Sequence, residues 1–170
     1  MDKKILRNQL IRQRKSLDFN VKKSWEEKIH QQILDLLAPY QQIGLYLSMD
    51  FEIDTMRLIR QLPDKVLLAP RIDGDLIHFH HLGKQGSQHR FGMWEPRAGQ
   101  IMIPEVLIIP MIGFNESKYR IGFGKGYYDR YLKDFTGTSI GMAFQQDFVK
   151  FKEQSWDKQL DLIITEEGYL

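Results

Sequence analysis

Six short apolar runs separated by other segments constrain the fold of this chain more than any other feature. They cover residues 42–48, 65–70, 76–82, 105–111, 138–144 and 161–165, and many of their residues are β-branched. The run VLIIP at residues 106–110 is apolar throughout rather than at alternate positions, which is typical of a strand buried on both faces. Such strands interspersed with helices predict an α/β, three-layer domain with a mostly parallel central sheet and helices on both faces.

The segment before the first run predicts an N-terminal pair of helices. Residues 2–16 and 20–37 have the required length and spacing, and the turn between them offers Asp18 and Asn20 as candidate N-caps. Residues 82–100 form the longest stretch without helical or strand periodicity, and long irregular segments are often functional.

Composition limits the classes of function. A chain of 170 residues, 42% hydrophobic, fits a single domain over residues 1–170. Lysine and arginine number 24 against 22 acidic residues, and this net charge of +2 is too small to indicate a nucleic-acid or membrane partner. The absence of cysteine excludes disulfides and thiolate nucleophiles, and no apolar run resembles a signal peptide or membrane span. We therefore expect a cytoplasmic protein, and we also expect a monomer.

A glycine-rich segment, RIGFGKGYYDRYL at residues 120–132, follows the VLIIP strand, which ends at Pro110, after an intervening loop. Its alternate glycines let the backbone approach a ligand closely, while Arg120 and Lys125 add positive charge, so the composition favours phosphate binding. Ligands of open parallel sheets also bind beyond the carboxyl ends of strands. The spacing matches neither a Walker A loop nor a dinucleotide fingerprint. A purely structural glycine turn is the alternative.

The same region carries a longer resemblance. PMIGFNESKYRIGFGKGYYDRYL resembles the signature of the 5-formyltetrahydrofolate cyclo-ligase family, in which a proline after a strand leads to R-[LI]-G-x-G-x-G-Y-Y-D. Four further segments resemble the family in the same order: KKILRNQLIRQR, LSMDFEIDT, GMWEP and WDKQLDLIITEEG. The resemblance implies an enzyme that uses ATP to cyclise 5-formyltetrahydrofolate to 5,10-methenyltetrahydrofolate, releases ADP and phosphate, and requires Mg²⁺.

The resemblance also implies an ATP site. Its expected residues are Lys3, Arg7, Arg120, Gly122, Gly124, Lys125, Gly126, Tyr127 and Tyr128, of which Arg120, Lys125 and Tyr128 are the expected catalytic residues. At 100° per residue, Lys3, Arg7 and Arg14 lie within roughly 40° of one another on a helix and predict one positive stripe. A solvated helix face is the alternative.

The folate site implied by the resemblance centres on Glu52, whose carboxylate can accept hydrogen bonds from the N–H groups of a reduced pterin. The expected walls of the site are Leu47, Met49, Phe91, Trp94, Phe123 and Tyr128. Leu47 and Tyr127 suit a core role equally well. Phe123 departs from those relatives that carry a basic residue at its position, which puts one phosphate or substrate contact in doubt.

By the same resemblance, Asp129 and Asp157 are the expected magnesium ligands, since Mg²⁺ favours one or two carboxylates together with phosphate oxygens. Asp161, four residues after Asp157, is the alternative second ligand, and Asp129 would also suit a first helical turn. His78, His80 and His81 could suggest a different metal site, but a structural or surface role is favoured.

Two other functions remain open from the sequence. One is a noncatalytic relative that binds phosphate or RNA through the basic first helix, although the required strong basicity is missing. The other is a sugar-phosphate or coenzyme A enzyme on a similar scaffold, because fold does not fix function. An enzyme of this second kind would not need the combination of Arg120, Asp129 and Glu52 in these contexts.

Overall fold

The computed structural model describes residues 2–84, 86–88 and 94–170. The helices are α1 (Lys3–Lys15), α2 (Phe19–Leu37), α3 (Thr55–Arg60) and α4 (Tyr127–Leu132), with a 3₁₀ turn at Gln145–Asp147. The strands are β1 (Gln42–Leu45), β2 (Val66–Asp73), β3 (Leu76–His81), β4 (Gly86–Gln88), β5 (Trp94–Pro96), β6 (Val106–Ile109), β7 (Gly113–Phe114), β8 (Arg120–Ile121), β9 (Thr138–Met142), β10 (Leu162–Thr165) and β11 (Gly168–Tyr169).

Seven strands form the central sheet in the order β11-β10-β9-β6-β1-β2-β3. The neighbours from β10 to β2 pair in parallel, whereas β3 and β11 pair antiparallel at the two edges. All six strands predicted from the apolar runs belong to this sheet. The expected mostly parallel α/β fold is therefore confirmed.

Burial on both faces explains the continuous apolar character of β6. Val106 and Ile108 pack in a core cluster with residues of α2 and α3, and Leu107 and Ile109 pack on the other face in a cluster that α4 covers. All four side chains have no exposed surface. Because both faces are covered, an alternating pattern of apolar and polar residues would bury polar groups.

Aspartates begin three of the helices. Asp18 accepts hydrogen bonds from the backbone N–H groups of Asn20 and Val21, so it caps α2. Asn20 lies inside that helix, so the prediction that it could serve as the N-cap is wrong. Asp2 and Asp54 cap α1 and α3 in the same manner. Within the described residues, no helix has the length and apolar character needed to cross a membrane.

Two regions in which the sequence predicts no strand contain short strands. β4 and β5 pair antiparallel within residues 82–100, and β7 and β8 form a hairpin after Pro110. Asn115 closes that hairpin through its side-chain oxygen, which accepts hydrogen bonds from the N–H groups of Ser117 and Tyr119. Strands of two or three residues are too short to show a periodic sequence pattern, so they can be identified only from their hydrogen-bonded pairing in the structure.

Arg14 does not belong to the expected positive stripe on α1. It continues the buried face of Leu6 and Leu10, and its guanidinium donates two hydrogen bonds to one carboxylate oxygen of Asp147, at 3.1 and 2.7 Å. Both side chains are buried, and the guanidinium also lies 5.6 Å from the centre of the Phe144 ring. The stripe is therefore reduced to Lys3 and Arg7.

We expect Arg14→Met to lower the free energy of unfolding by about 3–5 kcal/mol, because it leaves the Asp147 carboxylate buried without its cation. The matched control is Arg57→Met, which removes a partly exposed pair with Glu27 and should cost less than about 1 kcal/mol. Urea unfolding at pH 7 measures both. Equal losses in the two variants would contradict the assigned role of the buried pair.

Candidate active site

A cleft lies where the strand order reverses. From β1 the chain proceeds outward to β2 and β3, whereas β6 lies on the other side of β1 and leads away to β9 and β10. The segments that follow β1 and β6 diverge at this point, which is where open α/β sheets bind ligands. The cleft has a volume of about 850 Å³, and Tyr46, Leu47 and Pro110 line it directly beyond the two strands.

The structure brings the expected site residues together around this cleft. Those that line it are Lys3, Arg7, Leu47, Met49, Glu52, Trp94, Arg120, Gly122, Phe123, Gly124, Lys125, Gly126, Tyr127, Tyr128, Asp129 and Asp157. Phe91 lies outside the described residues. Leu47 and Tyr127 each also pack against a core cluster, so the two interpretations of these residues are compatible.

The glycine-rich loop adopts backbone conformations that explain its sequence. Gly124 and Gly126 have φ angles of 86° and 70°, a region that other residues rarely adopt, and Gly126 precedes α4. Arg7 covers the loop: its Nε donates a hydrogen bond of 2.5 Å to the Gly122 carbonyl. A Cβ atom on Gly124 would lie 3.1 Å from the Arg7 guanidinium, so glycine also permits this close approach.

Two ion pairs occupy the same part of the cleft. Arg120 donates a hydrogen bond of 2.8 Å to Asp129 and another to the Lys158 carbonyl at 3.2 Å, while Lys3 pairs with Asp157. Burial lowers the pKa of the Arg120 guanidinium, and the charges of Asp129 and Asp157 oppose that effect. Each expected metal-binding carboxylate thus neutralises one expected phosphate-binding cation.

Asp157 and Asp161 occupy different environments. Asp157 lines the cleft, whereas the Asp161 carboxylate accepts hydrogen bonds from the backbone N–H and hydroxyl of Ser139, at 2.7 and 2.6 Å. Asp161 therefore fastens β10 to β9 at their amino ends. This difference favours Asp157 as the candidate metal ligand.

Glu52 is buried at another part of the cleft wall, with 3% of its surface exposed. Its Oε2 accepts a hydrogen bond of 2.7 Å from the Met49 N–H. Burial raises the pKa of Glu52 to about 7, although the Met49 hydrogen bond and the charges of Arg14 and Lys22 oppose the rise. The carboxyl therefore titrates near neutral pH.

Aromatic rings join the Glu52 region to the glycine-rich loop. Phe51 and Phe123 have ring centres 6.2 Å apart at an angle of 60°, and the Lys15 ammonium lies 5.3 Å from the centre of the Phe51 ring. Burial and the nearby Glu52 carboxylate raise the pKa of Tyr128, so its phenol remains protonated. The aromatic side chain of Phe123 thus makes a packing contact here.

The histidines of β3 stand outside the cleft. His80 is buried and its Nδ1 accepts a hydrogen bond of 3.3 Å from the Gly99 N–H, which supports a structural role. Among residues 2–84, 86–88 and 94–170, no three His, Cys, Asp or Glu side chains group as a ready-made metal site.

Sequence reasoning misses several residues that line the cleft. Among them are Tyr46, Glu95 and Trp156. Glu95 accepts a hydrogen bond from the Ile72 N–H and pairs with Arg71, which ties β5 to β2. Glu95 stands within the GMWEP motif and Trp156 directly precedes Asp157, so their position in motifs is the signal that could have found them.

These features define the class of the protein: an α/β protein whose switch-point cleft combines a glycine-rich loop, paired charges and aromatic walls, suited to polyanionic and flat small molecules. More narrowly, the chain belongs to the 5-formyltetrahydrofolate cyclo-ligase family, which matches residues 1–166. The resemblance seen in five motifs is thereby confirmed, and with it the class of enzyme, a cyclo-ligase.

Curated relatives and solved structures agree with this membership. The 5-formyltetrahydrofolate cyclo-ligase of Mycoplasma pneumoniae is 34% identical over 98% of this chain and 100% of its own length. That of Haemophilus influenzae is 30% identical over 82% of this chain and 84% of its own length. The structure of a 5,10-methenyltetrahydrofolate synthetase from Mycoplasma pneumoniae has a TM-score of 0.81 at 30% identity, covering 98% of this chain and 99% of that one. The corresponding Aquifex aeolicus structure has a TM-score of 0.88 at 29% identity, covering 99% and 92%.

We expect Glu52→Gln to change the pH dependence of stability. Between about pH 4.5 and 7 the unfolded chain releases a proton that the folded protein retains on Glu52, so this group lowers the free energy of unfolding as the pH rises. Glutamine removes this pH dependence. The difference in the free energy of unfolding between variant and wild type should therefore favour the variant more at pH 8 than at pH 5, by on the order of 2 kcal/mol. Urea unfolding of wild type and variant at both pH values measures the difference.

The control for this experiment is Glu167→Gln, which alters an exposed acid outside the cleft. The difference in the free energy of unfolding between the Glu167→Gln variant and wild type should be the same at the two pH values. If Glu52→Gln behaved in the same way, the raised pKa of Glu52 would be wrong.

Proposed function

We propose that this chain cyclises 5-formyltetrahydrofolate to 5,10-methenyltetrahydrofolate in an ATP-dependent reaction that releases ADP and phosphate, and that both substrates bind in the cleft at the reversal of strand order. The observation that carries this proposal is the convergence of residues suited to a triphosphate and residues suited to a pterin on one cleft of about 850 Å³. Ligand sites commonly have volumes of roughly 300–1,000 Å³, so this cleft lies toward the upper end of that range.

The triphosphate lies against the glycine-rich loop in this proposal. Loop backbone N–H groups face the phosphate oxygens, while Lys3, Arg7 and Arg120 supply positive charge around them. Arg7 is already held against the loop by its hydrogen bond to the Gly122 carbonyl. Arg120 is held by Asp129, so these cations need little reorganisation when the nucleotide binds.

The pterin lies against Glu52. One carboxylate oxygen is occupied by the Met49 N–H, and the other, Oε1, accepts no hydrogen bond from the part of the chain that the structure describes. That oxygen suits the N–H donors of a reduced pterin. Met49, Trp94, Phe123 and Tyr128, together with Leu47, supply the apolar walls on which a flat ring packs.

Asp129 and Asp157 have the chemistry required to hold a magnesium ion. They come from different segments, line the same cleft and lie beside the cations assigned to the phosphates. Mg²⁺ is usually bound by one or two carboxylates together with substrate phosphates, so two acids suffice. When bound, the ion would neutralise charge on the phosphate oxygens.

The reaction requires positioning rather than a covalent nucleophile. In the proposed mechanism, the formyl oxygen attacks the γ-phosphorus of ATP as the bond to the β,γ-bridging oxygen breaks, and ADP leaves. N10 of the folate then attacks the activated formyl carbon, phosphate departs with the former formyl oxygen, and N10 loses its proton. Arg120 and Lys125 stabilise charge on the transferring group, while the protonated Tyr128 phenol serves as a hydrogen-bond donor.

We expect Asp129→Asn and Asp157→Asn each to lower kcat/KM by about a hundredfold or more, because each weakens charge stabilisation of the transferring phosphate. The measurement is the absorbance of 5,10-methenyltetrahydrofolate formed from 5-formyltetrahydrofolate with Mg²⁺, with ATP present or omitted. Asp134→Asn, an exposed acid just beyond α4, is the matched control and should retain wild-type activity. Product formation by wild type without ATP, or no product at all from folded protein, would refute the proposed function.

The raised pKa of Glu52 predicts a pH profile. Because the carboxylate is the form that accepts pterin N–H bonds, kcat/KM for the folate should fall about tenfold per unit as the pH decreases below about 7. Glu52→Gln should lower kcat/KM throughout and abolish this inflection. Rates measured from pH 5.5 to 8.5, with enzyme-free blanks to subtract spontaneous cyclisation, test this; an unchanged inflection in the variant would assign it to another group.

A further inference from the structure

Trp156 is an exposed indole on the wall of the cleft. It lines the cleft although 64% of its surface is exposed, and none of the sequence motifs assigns it a role. Leaving so large an apolar ring in water gives up the free energy that its burial would provide. An exposed aromatic face within a ligand cleft is the arrangement expected of a surface on which another flat ring packs.

The turn that carries Trp156 is held firmly at both sides. The Gln154 N–H donates a hydrogen bond of 2.7 Å to the Asp157 carboxylate, and the Asp157 N–H donates one of 3.0 Å to the Gln154 carbonyl. Asp157 also pairs with Lys3, and the Lys158 carbonyl accepts a hydrogen bond from Arg120. The indole is therefore presented by a turn fastened to the two cations assigned to the phosphates.

Helix α1 shows where Trp156 lies relative to Glu52. Lys3 at one end of α1 pairs with Asp157, next to Trp156, and Lys15 at the other end covers the ring of Phe51, next to Glu52. At 1.5 Å per residue, these two positions on the helix axis are separated by roughly 18 Å. Arg7, which contacts the glycine-rich loop, lies between them.

The order along the cleft is therefore the Glu52 carboxylate, the glycine-rich loop and then the Trp156 indole. A pterin at Glu52 whose formyl oxygen meets the γ-phosphate at the loop places the rest of the nucleotide toward the far end. We propose that Trp156 is the platform on which the purine base of ATP stacks. This inference rests on the proposed function, because it takes the triphosphate to lie at the loop.

Stacking of the purine base on Trp156 predicts that loss of the indole weakens the binding of ATP and leaves the binding of the folate unchanged. Replacing an aromatic platform under a base by alanine commonly weakens binding by about tenfold. We expect Trp156→Ala to raise KM for ATP by about tenfold while kcat and KM for 5-formyltetrahydrofolate stay within about twofold of wild type. Trp156→Phe, which keeps an aromatic face, should raise KM for ATP by less than about threefold.

Inorganic tripolyphosphate separates the base from the phosphates. As a competitor of ATP it lacks a base, so its inhibition constant should be the same for wild type and Trp156→Ala. The matched control is Phe19→Ala, which removes an aromatic side chain 75% exposed and outside this cleft, and which should leave every constant unchanged.

Three results would overturn the inference. The first is an unchanged KM for ATP in Trp156→Ala. The second is an equal rise in the inhibition constant of tripolyphosphate, which would mean that the turn supports the phosphate site rather than the base. The third is a rise in KM for the folate instead, which would place the folate's aminobenzoyl ring on the indole. Each result requires an active wild type, so it differs from failure of the proposed function, in which wild type itself makes no ATP-dependent product.

Discussion

The parallel pairing of β1 with β6 at the centre of the sheet is the interaction on which the rest of the structure depends. It brings strands separated by about sixty residues together, and it requires both to be buried on two faces. Gly44 of β1 shows how tightly the centre is packed, since a Cβ atom there would lie 2.8 Å from Pro104 and 2.9 Å from Leu107. Because the chain departs in opposite directions from these two strands, the same pairing that forms the core also opens the cleft.

Helix α1 links the stability of the fold to the chemistry of the cleft. Leu6, Leu10 and Arg14 bury one face of the helix, whereas Lys3 and Arg7 reach the cleft from the amino-terminal half. The buried pair of Arg14 with Asp147 fixes the carboxy-terminal half of the helix against the segment after β9. The positive charge of Arg14 also opposes the rise in the pKa of Glu52, so one helix bears on both ends of the cleft.

The sequence predicts those parts of the fold that depend on local patterns. Six apolar runs locate six of the seven strands of the central sheet, and the Asp18 cap is decided by its own neighbours. Arg14 could not be assigned in this way, because helical spacing places it beside Lys3 and Arg7 while its partner Asp147 is distant in sequence. β4, β5, β7, β8 and β11 are too short to show periodicity and exist through pairing alone. The motifs predict the candidate site, and Trp156 stands beside Asp157 in one of them, but only the fold shows that its indole is exposed in the cleft.

The paired charges of the cleft bear on how a triphosphate could bind there. Arg120 with Asp129, and Lys3 with Asp157, form two neutral pairs, so each of these four charges is balanced by a partner within the cleft. A polyanion alone would compete with each carboxylate for its cation and would leave two acids without partners. A triphosphate that arrives with a divalent cation supplies a partner for both members of each pair, since phosphate oxygens suit the cations and the metal suits the acids. Under the proposed function, this pairing would favour the complexed nucleotide over the free anion, which would account for the presence of acids and bases on the same wall of the cleft.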